Sequence, residues 1–238
     1  MPGAARVAAE AGARVGAGLT SIATRSAHGP ILNLARPELM CYGVESASEL
    51  EELLHPANAL SVGPGLGQSE WAIALLHKAI ETNLPMVVDA DALNLLSKNP
   101  QHHDNWVLTP HPGEAARLLG CSSEDIQADR FAAVYELQRR YGGVVVLKGS
   151  GTLISNGEAP TRLSTWGNPG MGSGGMGDVL AGVIGGLLAQ HFPIMDAACV
   201  GVTLHGMAAD KAAELDGERG TLAMDLMPHL RRLANLIY

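Results

Sequence analysis

The sequence predicts an α/β domain of three layers, α/β/α, with a mostly parallel central sheet. Three observations carry that prediction. Short continuous apolar runs rich in β-branched residues punctuate the chain, as parallel strands covered on both faces require. Longer helical patterns alternate with them, the signature of βαβ units. Glycine-rich turns close several of the runs, at the strand ends where open α/β sheets bind ligands. No linker, charge block or repeat divides the 238 residues, so one domain over 1–238 is expected.

The expected strands are Leu19–Thr24, Ala59–Gly63, Met86–Asp89, Trp106–Thr109 and Val144–Lys148. Helical patterns cover Ala4–Gly16, Ser69–Thr82, Asp91–Ser97, Gly113–Leu119 and Ser123–Tyr141. Thr152–Ser155 and Arg162–Thr165 read as a hairpin turning at Asn156-Gly157. Helices follow at Gly175–Gln190, Ile194–Leu215 and Met224–Ile237. With only 4% aromatic residues, the core must be built from aliphatic side chains and alanine.

Composition narrows the function. A hydrophobic content of 47% against 17% charged residues excludes charge-driven disorder. Sixteen Lys+Arg against 24 Asp+Glu leave a formal net charge of -8, the wrong bias for a chain that neutralises nucleic-acid phosphates. Cys41, Cys121 and Cys199 are widely separated, with no CxxC pair, so neither a disulfide framework nor a zinc knuckle is expected. No secretory signal opens the chain, and the most apolar stretch, Val179–Ala189, is too short to span a bilayer. A cytoplasmic protein without membrane partners is the expectation.

Five glycine- or acid-rich segments hold the chemistry. The densest runs from Gly167 to Asp178 and opens an apolar helix. Glycines let a ligand approach the main chain, and the N–H groups of a helix start form an anion site. Asp178 there is either a first-turn acid that stabilises the helix dipole or a base for a hydroxyl whose phosphoryl partner the amides hold. Gly172–Gly177 fits G-x-G-x-x-G but follows no first βα turn, which argues against a dinucleotide fingerprint; no Walker-type P-loop occurs.

Gly63-Pro64-Gly65-Leu66-Gly67 follows a strand and precedes Ser69; it is a tight turn with Ser69 as cap, or a ligand-facing loop. Lys148-Gly149-Ser150-Gly151-Thr152 places a lysine at another strand end, either solvated or balancing phosphate charge. In Thr109-Pro110-His111-Pro112-Gly113-Glu114 two prolines hold His111 rigidly, as a structural loop residue or as a ligand contact. Asp89-Ala90-Asp91 offers two acids for hydrated Mg²⁺, or a helix cap at Asp91. Each segment alone says little. Their gathering at successive strand ends points to a phosphorylated or nucleotide ligand and one general base.

Together GPGLG (63–67), DADALN (89–94), TPHPGEAARLLG (109–120), VVVLKGSGT (144–152) and GNPGMGSGGMGDVLAGVI (167–184) resemble the NAD(P)H-hydrate dehydratase family of the ribokinase-like fold. The resemblance covers essentially the whole chain, including PGAARVAAEAGARVGAGL near its start, and is closest to the bacterial enzymes. It implies a repair lyase that converts the S form of hydrated NADH or NADPH (NADHX, NADPHX) back to the reduced cofactor. Bacterial members consume ADP and release AMP and phosphate; eukaryotic ones use ATP. Phosphorylating the hydrate's hydroxyl turns a poor leaving group into a good one.

Carried over by resemblance, Asp178 is the catalytic base and Gly174, Gly175 and Gly177 line the anion hole. Lys148, Gly149, Ser150, Gly151 and Thr152, with Gly177, match the adenine-nucleotide positions. Ala4, Gly65, Gly67, His111, Glu114 and Asp178 match the hydrate positions, and Asp89 and Glu114 lie where Mg²⁺ binds in related sites. A homotetramer is the family's expected assembly. The family's usual first strand and its glycine-rich turn are missing ahead of Pro2-Gly3-Ala4; either the chain starts at an internal methionine or its sheet has one strand fewer, with an unpaired edge expected there. The alternatives implied by the same motifs are a ribokinase-like kinase of a vitamin-precursor alcohol and a non-catalytic nucleotide-binding protein.

Overall fold

Why residues 1–34, 36–158 and 160–236, the part described by the computed structural model, form three layers is read from the strands. In β4 (Met86–Val88), β5 (Trp106–Leu108) and β6 (Val144–Leu147) every side chain is buried. Alternate residues point to opposite faces of a sheet. Val87, Val107, Val144 and Val146 enter one apolar layer, beneath α1 (Pro2–Arg14), α9 (Met176–Leu188), α10 (Ile194–Asp216) and α11 (Leu226–Ala234). Met86, Val88, Trp106, Leu108, Val145 and Leu147 enter the other, beneath α4 (Glu70–Glu81), α5 (Ala90–Lys98), α6 (Pro112–Leu119), α7 (Ser123–Ala128) and α8 (Arg130–Tyr141).

Among the described residues the strands form two sheets. The larger has the order β3-β4-β5-β6-β7-β8, with β3 at Leu60–Val62, β7 at Thr152–Ser155 and β8 at Arg162–Ser164. Its strands β3 to β6 are parallel, and β7 and β8 return antiparallel, with Leu147 opposite Leu153 and Leu153 opposite Leu163. The smaller joins β1 (Ser21–Thr24) to β2 (Met40–Gly43) in parallel. Between them runs α2 (Gly29–Leu32), and α3 (Ala47–Leu54) follows. Side chains connect the two sheets: Val44, Leu50, Leu54 and Leu75 pack with Ala23, Leu60 and Trp71, and the Trp71 indole donates to the Val44 carbonyl at 3.0 Å.

Several expectations change. The first strand begins at Ser21, not Leu19, and lies outside the main sheet. β2 and α3 were not expected; Met40–Gly43 is partly exposed and lacks a continuous apolar signature. The expected helix Ser123–Tyr141 is two helices, because the Asp129 side chain caps a new start by accepting from the Ala132 N–H at 2.9 Å. The hairpin lies where expected, with β7 at Thr152–Ser155 and β8 ending one residue early at Ser164. The last helix ends at Ala234, and its expected end, Ile237, lies outside the described residues.

One helix seam aligns the site. A Cβ on Gly182 would overlap the Ala8 carbonyl, and one on Gly186 would stand 2.6 Å from the Gly12 carbonyl. Ala8 to Gly182 and Gly12 to Gly186 are the same step, so α1 and α9 run parallel with their N-termini together. Carried back one turn, that step sets Ala4 level with Asp178.

Gly182→Ala should lower stability by about 1–3 kcal/mol, because a methyl has no room against backbone. Gly185→Ala on the same helix meets the Ser61 Cβ at 3.4 Å and the Val87 Cγ2 at 4.0 Å, ordinary van der Waals contacts. It should be neutral or stabilise by up to about 1 kcal/mol through helix propensity. Denaturant midpoints of the two variants check the contrast.

Candidate active site

Four side chains at the carboxyl ends of parallel strands converge. Asp89 follows β4, Thr109 follows β5, Lys148 follows β6, and Glu114 reaches in from the first turn of α6. The Lys148 ammonium lies 2.8 Å from Asp89 Oδ1 and 3.7 Å from Glu114 Oε2. The Thr109 hydroxyl also donates to Asp89 Oδ1, at 2.7 Å. Asp89, Thr109 and Glu114 are buried. Burial alone would lower the Lys148 pKa, but Asp89 and Glu114 more than offset it and hold the ammonium above its ordinary value.

Asp178 stands in the first turn of α9, whose N-cap is Gly175 at φ +90°. A residue with a Cβ there would be strained and would press on Ala223 at 3.0 Å. No side chain caps this helix, so its opening N–H groups remain available to an anion. Asp178 does not cap it. Burial first, and the nearby Asp89 carboxylate second, push its carboxyl up to about 6, with Lys148 pulling the other way. Gly177 keeps the approach open: a Cβ would come within 3.2 Å of the Lys148 ammonium.

The glycine-rich segment before α9 is held from below. The Gly167 N–H and the Asn168 amide each donate to Asp210 of α10 at 2.9 Å, and Asn168 Oδ1 accepts from Gly170 N–H at 3.0 Å. After β6, Arg130 donates to the carbonyls of Ser150 at 2.7 Å, Leu147 at 3.1 Å and Lys148 at 3.3 Å. Gly149 adopts φ +149° against that guanidinium, where a Cβ would lie 2.9 Å from a nitrogen. Thr152 Oγ1 closes the loop on the Gly149 carbonyl at 3.1 Å.

His111 is the N-cap of α6. Its Nδ1 accepts from Gly113 N–H at 3.0 Å and Glu114 N–H at 3.4 Å, while Glu114 Oε2 accepts from His111 N–H at 2.9 Å. An accepting Nδ1 leaves the proton on Nε2, which lies 3.5 Å from Glu114 Oε1. Burial, and the Lys148 charge, hold this ring below the usual histidine range. His111 is therefore a cap and a half-exposed donor together. His205 of α10 is buried, its Nε2 has no partner, and burial and Lys148 hold it down to about 4, so it stays neutral.

The structure thus gathers Asp89, Glu114, Lys148 and Asp178 into one cluster, with Gly177 against it and His111 at its rim. Ala4 lies in α1, one turn before Ala8 of the seam, and the Met1 amine donates to the Gly65 carbonyl at 2.6 Å. Asp91 makes no helix cap; its Oδ2 accepts from Gly67 N–H at 2.8 Å. Among the described residues no three His, Cys, Asp or Glu side chains form a metal-binding cluster. Sequence reasoning passed over Thr109 as a participant, Arg130, His205 and Asp210. Neither Asp210, one of four acids on α10, nor Arg130 stands out in the local sequence. No helix among the described residues is long and apolar enough to cross a membrane.

Geometrically this is a carboxyl group beside an uncapped helix start and an ammonium. A hydroxyl at Asp178 can lose its proton while α9 amides and Lys148 hold a phosphoryl group.

The sequence pattern of the NAD(P)H-hydrate dehydratase family matches residues 1–232. A bifunctional NAD(P)H-hydrate repair enzyme of Coxiella burnetii is 57% identical over 235 residues, 99% of this chain and 48% of its own length. The ADP-dependent (S)-NAD(P)H-hydrate dehydratase of Neisseria meningitidis is 42% identical over 210 residues, 84% of this chain and 70% of its own. The ADP/ATP-dependent NAD(P)H-hydrate dehydratase of Bacillus subtilis, crystallised with ATP and Mg²⁺, superposes with a TM-score of 0.87 at 29% identity, over 100% of this chain and 86% of that one. The chain spans about half the length of the bifunctional relatives it matches.

A carboxyl raised to about 6 from 3.8 binds its proton more tightly folded than unfolded. Stability therefore falls as pH rises through that window and stays lower above it. Asp178→Asn should stabilise the protein at pH 7 by about 1–2 kcal/mol, allowing for solvent screening, and the gain should vanish below about pH 4. Thermal melts across pH 4–8 check it.

Proposed function

The chain belongs to the NAD(P)H-hydrate dehydratase family, and on that premise we propose that it dehydrates the S form of NADHX and NADPHX at the expense of ADP, yielding NADH or NADPH, AMP and phosphate. The observation that carries this reading is the Asp178 carboxyl, raised to about 6 beside an uncapped helix start and the Lys148 ammonium. A base of that pKa is deprotonated at neutral pH yet still accepts a proton from an alcohol in the transition state.

In this reading Asp178 takes the hydroxyl proton of the hydrate as that oxygen attacks the terminal phosphoryl of ADP, and AMP departs. Phosphate then leaves carbon with the bond pair while the adjacent ring carbon gives up a proton, and the double bond reforms. The Gly174, Gly175 and Gly177 main chain and Lys148 steady the phosphoryl oxygens. Lys148 to Thr152 hold the nucleotide, with Arg130 fixing that loop from behind. Ala4, Gly65, Gly67, His111 and Glu114 face the hydrate, and the Nε2–H of His111 is a neutral donor there.

The carboxylates of Asp89, Asp91, Glu114 and Asp178 outnumber the Lys148 and Met1 ammonium groups, so anionic phosphates fit this cluster best when accompanied by a cation. Asp89 and Glu114 would hold a hydrated Mg²⁺ together with the phosphates, and the ion would neutralise their charge. A homotetramer and a cytoplasmic location belong to the same reading.

Mixing the protein with the S hydrate of NADH, Mg²⁺ and ADP should restore the near-ultraviolet absorbance of the reduced nicotinamide. A folded sample that restores none with ADP or ATP ends the proposal, and accumulation of a stable phosphorylated alcohol instead would mark a kinase. Asp178→Asn should lower kcat by about 10²–10⁴-fold with the KM for ADP little changed. For the wild type, kcat/KM should fall about tenfold per pH unit below the Asp178 pKa of about 6, since only the carboxylate is active.

A further inference from the structure

α5 starts on an unfavourable backbone. Ala90 has φ +47°, a left-handed conformation that side chains with a Cβ rarely adopt. Such strain persists where the surroundings impose it, often beside a ligand. Its effect here is to send the flanking carboxylates to different places. Asp89 turns to Thr109 and Lys148. Asp91 turns to the neighbouring loop and accepts from the Gly67 N–H at 2.8 Å.

That loop needs a tie. Gly63, Gly65 and Gly67 all have positive φ, at 125°, 67° and 80°. Glycines in such conformations leave the chain the most freedom to lose. An internal turn bond, Leu66 N–H to the Gly63 carbonyl at 3.0 Å, and the Met1 amine on the Gly65 carbonyl at 2.6 Å restrain its first half. A Cβ on Gly63 would overlap the Asp89 carbonyl, so the loop's first residue is wedged against the strained junction. Its far end has open space around Gly67. The Asp91 carboxylate closes that end.

We infer that Asp91 is the positioning residue of the hydrate loop: it holds Gly67 and thereby sets Gly63–Gly67 in a binding-ready form, without contributing to the nucleotide side of the site. This rests on the proposed reading of the loop as the hydrate side. The role belongs to the hydrogen-bond acceptor, since an asparagine carbonyl oxygen in the same place also accepts from Gly67 N–H.

Two variants and two readouts test it. In the ligand-free protein, Asp91→Ala should speed hydrogen exchange of the Gly67 amide about tenfold or more, and Asp91→Asn should restore the wild-type rate. In the repair assay, Asp91→Ala should raise the KM for the hydrate about tenfold with the KM for ADP and kcat within about twofold; Asp91→Asn should again restore it. Unchanged exchange in Asp91→Ala, a parallel rise in both KM values, or an asparagine variant that behaves like alanine overturns the inference. A wild type that repairs no hydrate removes the functional reading and the hydrate assignment with it, while the exchange arm still decides whether Asp91 ties the loop.

Discussion

The contact between Lys148 and Asp89 joins strand ends 59 residues apart and organises everything at the mouth of the sheet. Lys148 is the ammonium that Asp89 and Glu114 share, and it also acts on Asp178. Two buried carboxylates would be costly without it, and its removal would leave both uncompensated. Because Asp89 and Glu114 share that charge, little of it is left for Asp178. Burial first and the Asp89 charge second raise the pKa of Asp178, and the shared lysine only partly offsets them. The same pair also explains the glycine at 177, since a side chain there would crowd the ammonium.

Around this pair the fold places main chain rather than side chains. The α9 start is uncapped, Gly149 and Gly175 hold left-handed turns, and the loop before α9 is suspended from Asp210. Main-chain donors cost no rotamer entropy when a ligand arrives, and anchors such as Arg130 and Asp210 keep them aimed. The α1–α9 glycine seam extends this logic over longer range. By letting two backbones touch, it brings two helix starts to the same end of the sheet, where their dipoles add.

Function also carries a stability cost. Asp178 is held where burial and the Asp89 charge disfavour its carboxylate, and Ala90 in a conformation its side chain disfavours. Both lie close to Asp89, and the well-filled layers on either side of the sheet can bear them.

Much was legible in the amino-acid order alone. Val144–Leu147 and Met86–Val88 declare themselves as buried strands because both faces of a parallel strand must be apolar, and glycine clusters mark where backbone approaches a ligand. Asp178 and Lys148 stand out because they interrupt such patterns. What local pattern could not decide is which partner each polar side chain meets. Whether Asp91 caps a helix or ties a loop, whether His111 is cap or donor, and that Arg130 holds a loop 20 residues away all depend on contacts between distant segments. The partly exposed β2 escaped notice for a related reason: a strand shielded on little of its surface has no hydrophobic period to read, and only its pairing with β1 makes it a strand. Periodicity encodes burial, which each segment carries in itself; hydrogen-bond partnership exists only once the chain has folded.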